Sequence, residues 1–175
     1  MSIYKKNLEL LTKNNVYSKE MEHDACGVGL IASTEGKKSR EVVEYGIEAL
    51  KAVWHRGAVD ADGKTGDGAG IHLEIPKDFF VEKIEVTGHT HDGSDICVGM
   101  IFLPRNDYSS QESCKTIVES ELTKNDFSIY GWRQVPVNPK VLGEKAFQTM
   151  PEIIQVLFKS NDKNLLDIEL ERKIY

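Results

Sequence analysis

The sequence has no long apolar run and no cluster of basic residues. Its longest apolar stretch, around residues 96–103, is far shorter than the roughly 20 residues that cross a bilayer. Residues 1–25 contain lysines but no continuous apolar core of a secretory signal. The net charge of −6 argues against nucleic acid or an anionic membrane surface as a partner. We therefore expect a cytoplasmic protein whose partners include neither a membrane nor nucleic acid.

Cysteine is also scarce, with only Cys26, Cys97 and Cys114 in 175 residues. Their odd number and irregular spacing fit neither a disulfide framework nor a CxxC metal site. Such usage is typical of a reducing compartment. Cys97 and Cys114 are most simply predicted to be core residues.

A metal site is not expected. His89, His91, Asp92 and Cys97 lie close together in the sequence but match no recurrent zinc spacing, and a second ligand pair is missing. A solvated loop is the better interpretation of this stretch.

The pattern of the chain changes at Cys26. Residues 26–33 are small, apolar and bounded by polar residues, which predicts a buried strand. The next apolar residues recur at helical spacing, with Ser39 as a plausible N-cap and Gly57 as a plausible stop. These apolar residues are Val43, Ile47, Leu50 and Trp54.

The remainder predicts a mixed α+β order. The expected elements are a Gly/Asp-rich loop at 58–70, a half-buried strand at 71–75 ended by Pro76, a central strand at 96–103, a helix at 110–123, strands near 127–135 and 153–158, and a helix at 165–175. That last helix has no terminating Gly, Asn or Pro, so we expect the fold to need more chain.

Cys26 is the first candidate for chemistry. It precedes two glycines that leave the backbone open to a substrate. A thiol attacks only as the thiolate and therefore needs a base. Removal of residues 1–25 would free the α-amine of Cys26, whose reference pKa of about 8 suits that task. The alternative is a buried structural cysteine.

The sequence His55-Arg56-Gly57 is the second candidate. Arg56 at a helix end could hold a carboxylate through two hydrogen bonds, or it could simply balance the helix dipole. The glycine-rich tract at residues 66–70 lacks GxGxxG spacing and is followed by a predicted strand. It is therefore rejected as a nucleotide-phosphate loop and interpreted as a tight turn.

Taken in order, these tracts resemble the large subunit of glutamate synthases from Glu22 to the end of the chain. The matching tracts are Glu22-His23-Asp24-Ala25-Cys26-Gly27-Val28-Gly29, His55-Arg56-Gly57-Ala58, Asp60-Ala61-Asp62, Thr65-Gly66-Asp67-Gly68-Ala69-Gly70-Ile71, Ile75-Pro76, Phe79-Phe80, Gly131-Trp132-Arg133, Val135-Pro136-Val137 and Leu142-Gly143. Each tract is modest, but the ordered set is specific.

The resemblance implies a class II glutamine amidotransferase with the four-layer αββα sandwich of N-terminal-nucleophile hydrolases, here incomplete. Residues 1–25 would be a propeptide, and residues 26–175 the amino-terminal part of the domain. The Cys26 thiolate would attack glutamine, Arg56 would belong to the glutamine pocket, and the Gly57 carbonyl would orient the α-amine. Ammonia would pass to a synthase domain absent from this chain, which would carry FMN and an iron–sulfur cluster and could work with a small NAD(P)H-oxidising subunit.

The sequence departs from the family at one point. The family's oxyanion hole is an Asn-Gly pair, and no Asn-Gly dipeptide follows Cys26 here. Loss of an oxyanion donor typically costs about 10²–10³ in rate. The alternative prediction is therefore an inactive truncated piece, or a piece of a split subunit that needs a partner chain. A third alternative, an amidotransferase of purine or amino-sugar synthesis, fits less well because those families lack the 131–137 tract.

Overall fold

A computed structural model describes residues 27–54, 57–66, 68–162 and 164–174, together with Lys6 and Lys13. The chain divides into two compact units, Met1–Ala58 and Val59–Tyr175. None of the helices in the described ranges is long and apolar enough to cross a membrane.

The first unit contains helix α1, Arg40–Ala52. As predicted, Ser39 is its N-cap, and the Ser39 hydroxyl accepts a hydrogen bond from the Val42 amide at 3.3 Å. The predicted apolar face of this helix is half-buried, except that Trp54 lies beyond its end and is 71% exposed. The helix thus ends before Gly57.

The predicted buried strand at residues 26–33 is wrong over the residues that are described. Residues 27–33 form no strand, and the side chains of Val28 and Leu30 are each 89% exposed. An apolar run becomes a strand only when its amides and carbonyls pair with a neighbouring strand. No such neighbour pairs with it within the described ranges.

The second unit is built on an antiparallel three-stranded sheet. Its strands are β1 (Cys97–Leu103), β2 (Phe127–Gln134) and β3 (Glu152–Ser160), in the order β1-β3-β2. All three strands were predicted, but the prediction that 96–103 is central is wrong. Among the residues that the structure describes, β3 occupies the centre and β1 pairs with β3 alone. Apolar residues at both parities do not distinguish a central strand from an edge strand, and here one face of β1 leaves Met100 and Phe102 exposed.

In residues 59–66, 68–162 and 164–174, four helices and one 3-10 turn accompany the sheet. They are α2 (Lys77–Val86), α3 (Tyr108–Lys124), the turn Pro139–Val141, α4 (Glu144–Thr149) and α5 (Asp167–Ile174). Helices α3 and α5 confirm the predictions for 110–123 and 165–175.

The predicted strand at 71–75 is wrong, and α2 was not predicted. Ile71, Leu73 and Ile75 are exposed and outside any strand. Alternation over five residues specifies a strand only if another strand hydrogen-bonds to it. Pro76 ends no strand; it is the N-cap of α2, a position where its missing amide costs little.

Helices cover both faces of the sheet. On one face, Phe80 and Ile84 of α2 pack with Tyr130 of β2 and Leu157 of β3. On the other face, Val118 and Leu122 of α3 and Leu170 of α5 pack against a second buried cluster, which consists of Cys97, Phe127, Val156 and Phe158. The predicted α+β class is confirmed by this arrangement.

Candidate active site

Two of the three predicted site residues, Cys26 and Arg56, lie outside the described residues. Their roles stay predictions. The third, Gly57, is exposed, and its amide donates a hydrogen bond to the Trp54 carbonyl at 3.0 Å. A loop follows Gly57 closely in the sequence.

That loop, residues 59–66, folds back on itself. Val59 and Gly66 form an antiparallel bridge. The Asp60 amide donates to the Thr65 carbonyl at 2.7 Å, and the Gly63 amide donates to the Asp60 carbonyl at 2.9 Å. Gly63 has a φ of 67°, a conformation that glycine adopts without steric cost. The predicted loop is therefore an ordered turn.

The Asp62 carboxylate holds this turn together. One oxygen accepts from the amides of Lys64 at 2.9 Å and Thr65 at 2.7 Å, and the other accepts from the Thr65 hydroxyl at 2.6 Å. These bonds, above all the one from the Thr65 side chain, lower the pKa of Asp62 to about 2. Asp62 is therefore ionised at neutral pH.

The same turn is attached to the start of α4. The Glu144 amide donates to the second Asp62 oxygen at 3.1 Å, and Lys145 Nζ lies 2.6 Å from Asp60 Oδ2. A Cβ at Gly143 would overlap the Thr65 hydroxyl and the Asp62 carboxylate, so only glycine fits between the turn and the helix. The tracts Asp60–Asp62 and Leu142–Gly143, about 80 residues apart in sequence, thus meet.

Sequence reasoning missed this contact. Both tracts belonged to the ordered set of motifs, but no spacing rule connects them. One feature could have indicated it: Gly143 is the N-cap of α4 and has no side chain that could cap the helix. An uncapped helix start needs acceptors from elsewhere.

Comparison with known proteins identifies the family. The family model for class-II glutamine amidotransferases matches residues 26–175. The chain belongs to this family.

Relatives of this amidotransferase chain are glutamate synthases. It is 53% identical over 172 residues to the glutamate synthase [NADPH] large chain of Azospirillum brasilense, covering 98% of this chain and 11% of that protein. It is 41% identical over 155 residues to ferredoxin-dependent glutamate synthase 1 of Arabidopsis thaliana, covering 88% of this chain and 9% of that protein. The chain thus spans about a tenth of the length of these relatives.

The tract Gly131-Trp132-Arg133 of the amidotransferase chain has packing roles in the described structure. The Trp132 indole donates to Glu119 at 2.6 Å, and the Arg133 guanidinium donates to Gln155 and lies over the Phe79 ring. Gly131, at a bulge with a φ of 145°, faces Thr87 so closely that a Cβ would lie 2.9 Å from its methyl group.

The loop that carries His89 and His91, just before β1, is held by an ion pair. Asp92 accepts from Lys159 at 2.6 Å and from the Tyr130 hydroxyl at 3.3 Å. The Lys159 side chain is the main reason that the pKa of Asp92 lies well below its usual range. His91 lies 2.8 Å from the Ser94 carbonyl. In the part of the chain that the structure describes, no group of three or more His, Cys, Asp or Glu side chains could hold a metal ion.

The two described cysteines of the amidotransferase chain differ in environment. Cys97 is buried, as predicted, and desolvation raises the pKa of its thiol to about 11. Cys114 is half-buried on α3. A thiol with a pKa near 11 is almost wholly protonated at neutral pH, so Cys97 is a poor nucleophile.

Proposed function

We propose that this chain is the glutaminase part of a glutamate synthase and hydrolyses glutamine to glutamate and ammonia. The observation that carries the proposal is the family match, which begins at Cys26. The identity of 53% to a glutamate synthase large chain supports that parent over other amidotransferases. That alignment also includes most of residues 1–25, which supports a shared segment before the nucleophile.

In the proposed reaction, residues 1–25 are first removed as a propeptide, so that Cys26 becomes the first residue. Its α-amine takes the thiol proton, and the thiolate attacks the side-chain amide carbon of glutamine. The C–N bond breaks as the protonated amine returns its proton to the departing ammonia. Water then hydrolyses the γ-glutamyl thioester, which releases glutamate and restores the thiol.

Two further residues have proposed roles in this step. Arg56 pairs with the α-carboxylate of glutamine, because a guanidinium binds a carboxylate through two parallel hydrogen bonds. The Gly57 carbonyl accepts a hydrogen bond from the Cys26 α-amine and so aims its lone pair at the thiol. The exposure of Gly57 supports this role, since its backbone is accessible.

The proposed mature fold is the four-layer αββα sandwich, with residues 26–175 forming the amino-terminal part of the domain. The exposed side chains of Val28 and Leu30 support the proposal that residues 27–33 are covered once further polypeptide is present. The donors of the oxyanion hole would lie in that same further polypeptide, because residues 27–175 contain no Asn-Gly pair.

Ammonia from this site would pass to a synthase domain that uses FMN and an iron–sulfur cluster, together with a possible small NAD(P)H-oxidising subunit. The cysteines of this chain do not fit an iron–sulfur cluster. Iron–sulfur clusters are commonly held by four cysteines, whereas this sequence has three, one of which is buried in the core. We therefore propose that the cluster is held outside this chain, in the synthase domain.

A second candidate is a piece that is inactive until a partner chain or further polypeptide completes it. The missing Asn-Gly pair favours this candidate. Both candidates share the nucleophile and the pocket, and they differ in whether this chain alone reacts with a glutamine analogue.

Intact mass measured before and after incubation with 6-diazo-5-oxo-norleucine, a glutamine-like alkylator, tests the proposal. We expect loss of residues 1–25 and one adduct on Cys26, with the same adduct in Cys114→Ser as a matched thiol control. A full-length, unmodified mass would contradict activity of this chain alone and support the second candidate.

A further inference from the structure

His91 closes a short turn just before β1 through both nitrogens of its ring. The Gly93 amide donates to His91 Nδ1 at 3.3 Å, and His91 Nε2 lies 2.8 Å from the Ser94 carbonyl oxygen. A backbone amide can only donate and a carbonyl oxygen can only accept, so Nδ1 must carry a lone pair and Nε2 the proton. The 91–94 turn therefore binds the neutral ring with its proton on Nε2.

A second proton on the ring is incompatible with this turn. The imidazolium donates from both nitrogens, so its Nδ1–H would face the N–H of Gly93. The bond to Ser94 would remain, whereas the bond from Gly93 would be lost. Protonation of His91 thus removes one of the two bonds that close the turn.

His89 provides the comparison within the same loop. Its ring centroid, like that of His91, lies 6.3 Å from the ring centroid of Tyr130. Its Nδ1, however, lies 3.1 Å from the Thr87 hydroxyl, which can either donate or accept. That hydroxyl also lies 2.8 Å from the Tyr130 carbonyl oxygen, so it can donate there and accept from a protonated His89. The loop therefore tolerates a proton on His89 but not on His91.

Charges of both signs surround the 91–94 turn. The titratable groups around it are Asp92 and Asp95 of its own loop, His89, Lys77 of α2, Tyr130 of β2, Lys159 of β3 and Asp162 after β3. Burial raises the pKa of Tyr130, so its hydroxyl stays neutral near pH 7. The carboxylates favour an imidazolium and the ammonium groups oppose it. The hydrogen-bond pattern, which accepts only the neutral ring, therefore distinguishes the two forms.

The turn leads into the sheet and lines a cavity. The Ser94 amide donates to the Asp92 carboxylate at 3.1 Å, and β1 begins three residues after Ser94, at Cys97. The cavity has a volume of about 320 Å³ and is lined by residues 92–95 together with Ser160, Asp162, Leu165 and Leu170. Loosening the turn would therefore widen this cavity and free the segment before β1.

We propose that His91 is a pH-sensitive latch on the segment that leads into β1: the neutral ring closes the 91–94 turn, and the imidazolium releases the Gly93 amide. Histidine side chains change charge between about pH 5 and pH 8, so the latch responds in the physiological range. Asp92 stays ionised there, because the Lys159 side chain holds its pKa well below the usual range. The inference does not depend on the proposed glutaminase activity.

Nitrogen-15 NMR of the imidazole rings tests the protonation pattern in the full 175-residue chain. At about pH 7.5, where most histidines are neutral, we expect His91 to carry its proton on Nε2 and none on Nδ1. A proton on Nδ1 at that pH would overturn the proposal, because the ring could then not accept from Gly93.

Hydrogen exchange tests the release of the turn. After correction for the intrinsic pH dependence of exchange, we expect the protection of the Gly93 amide to fall about fivefold between about pH 7.5 and pH 5.5. Fivefold is roughly the factor that one hydrogen bond contributes. The amides of β3 should keep their protection over this range. Constant protection of Gly93 would overturn the latch.

Two matched variants assign the response to one ring. An asparagine side chain accepts from the amide two residues further on, so His91→Asn keeps a bond to Gly93 and cannot titrate. We expect the pH response of Gly93 to disappear in His91→Asn and to stay at the wild-type size in His89→Asn. A wild-type response in His91→Asn, or its loss in His89→Asn alone, would overturn the assignment to His91.

Discussion

At the scale of single residues, three carboxylates order the loops of the second unit. Asp62 is held by Thr65, Asp92 by Lys159 and Asp107 by Ser110. In each case these hydrogen bonds lower the pKa of the carboxyl group below its ordinary value. The carboxylates therefore favour the folded state only while they are ionised.

The first prediction concerns acid stability. Because the folded pKa of Asp92 lies below its unfolded value of about 3.9, its contribution is fully present above that pH and is lost as the pH falls below it. We expect the denaturant midpoint to fall between about pH 5 and pH 2, and to fall less steeply in Asp92→Asn. Glu85→Gln, an exposed carboxylate on α2, is the control and should keep the wild-type slope. Equal slopes in Asp92→Asn and wild type would refute the prediction.

The second prediction concerns the proposed nucleophile. In a complete protein with glutaminase activity, Cys26→Ala should reduce glutamine hydrolysis to the background rate, because no thiolate remains to form the thioester. Steady-state ammonia release measures this. Cys97→Ala removes a buried thiol with a raised pKa and should retain turnover if folded. Retained activity in Cys26→Ala would remove Cys26 from the mechanism.

At the scale of elements, the sheet and the helices that cover it hold the second unit together. Leu157 of β3 is fully buried beneath α2, where it packs with Ile84 and Tyr130. By contrast, Ile117 on α3 is 62% exposed although the sequence placed it on the apolar face of the helix. Helical spacing specifies a stripe, but the angle at which the helix packs decides which residues of that stripe are buried.

The third prediction concerns this core. Leu157→Ala should lower the free energy of unfolding by about 2–5 kcal/mol, because it removes a packed side chain and leaves a cavity. Ile117→Ala is the matched control and should cost no more than about 0.5 kcal/mol. Chemical denaturation followed by circular dichroism measures both. Equal losses would mean that Leu157 is not in the core.

At the scale of the whole molecule, many large apolar side chains remain accessible. Those more than half exposed include Val28, Leu30, Trp54, Val86, Phe102, Tyr108 and Val141. Phe102 lies on β1, which pairs with β3 along one edge and has no partner strand on its other edge among the described residues. Accessible strand edges with apolar side chains favour pairing with other chains.

The fourth prediction follows from that surface. We expect the isolated chain to be weakly stable or to self-associate, with a mass by light scattering that rises with concentration. Phe102→Lys should reduce association because it places a charge on the open edge, whereas Tyr108→Ser on α3 should have less effect. A sharp two-state melt of a monomer would contradict the expectation.

Elements that depend on interactions between nearby residues were predicted from the sequence, whereas strands that need a distant partner were not always predicted correctly. Helix α1 and its Ser39 cap, helix α3 and strands β2 and β3 were predicted from the sequence because caps and periodicity act over a few residues. The strands expected at 26–33 and 71–75 were not observed among the described residues. A strand depends on a distant partner that local sequence does not specify.

The sequence by itself determined the α+β class, most of the elements and, through ordered motifs, the family with Cys26, Arg56 and Gly57 as candidate site residues. Only the tertiary structure decided that β3 is central and that the Asp62 turn is tied to Gly143 and α4. Both depend on contacts between segments far apart in the chain. The free energy of these contacts depends on which distant segments the fold brings together, and residue spacing and composition do not specify that.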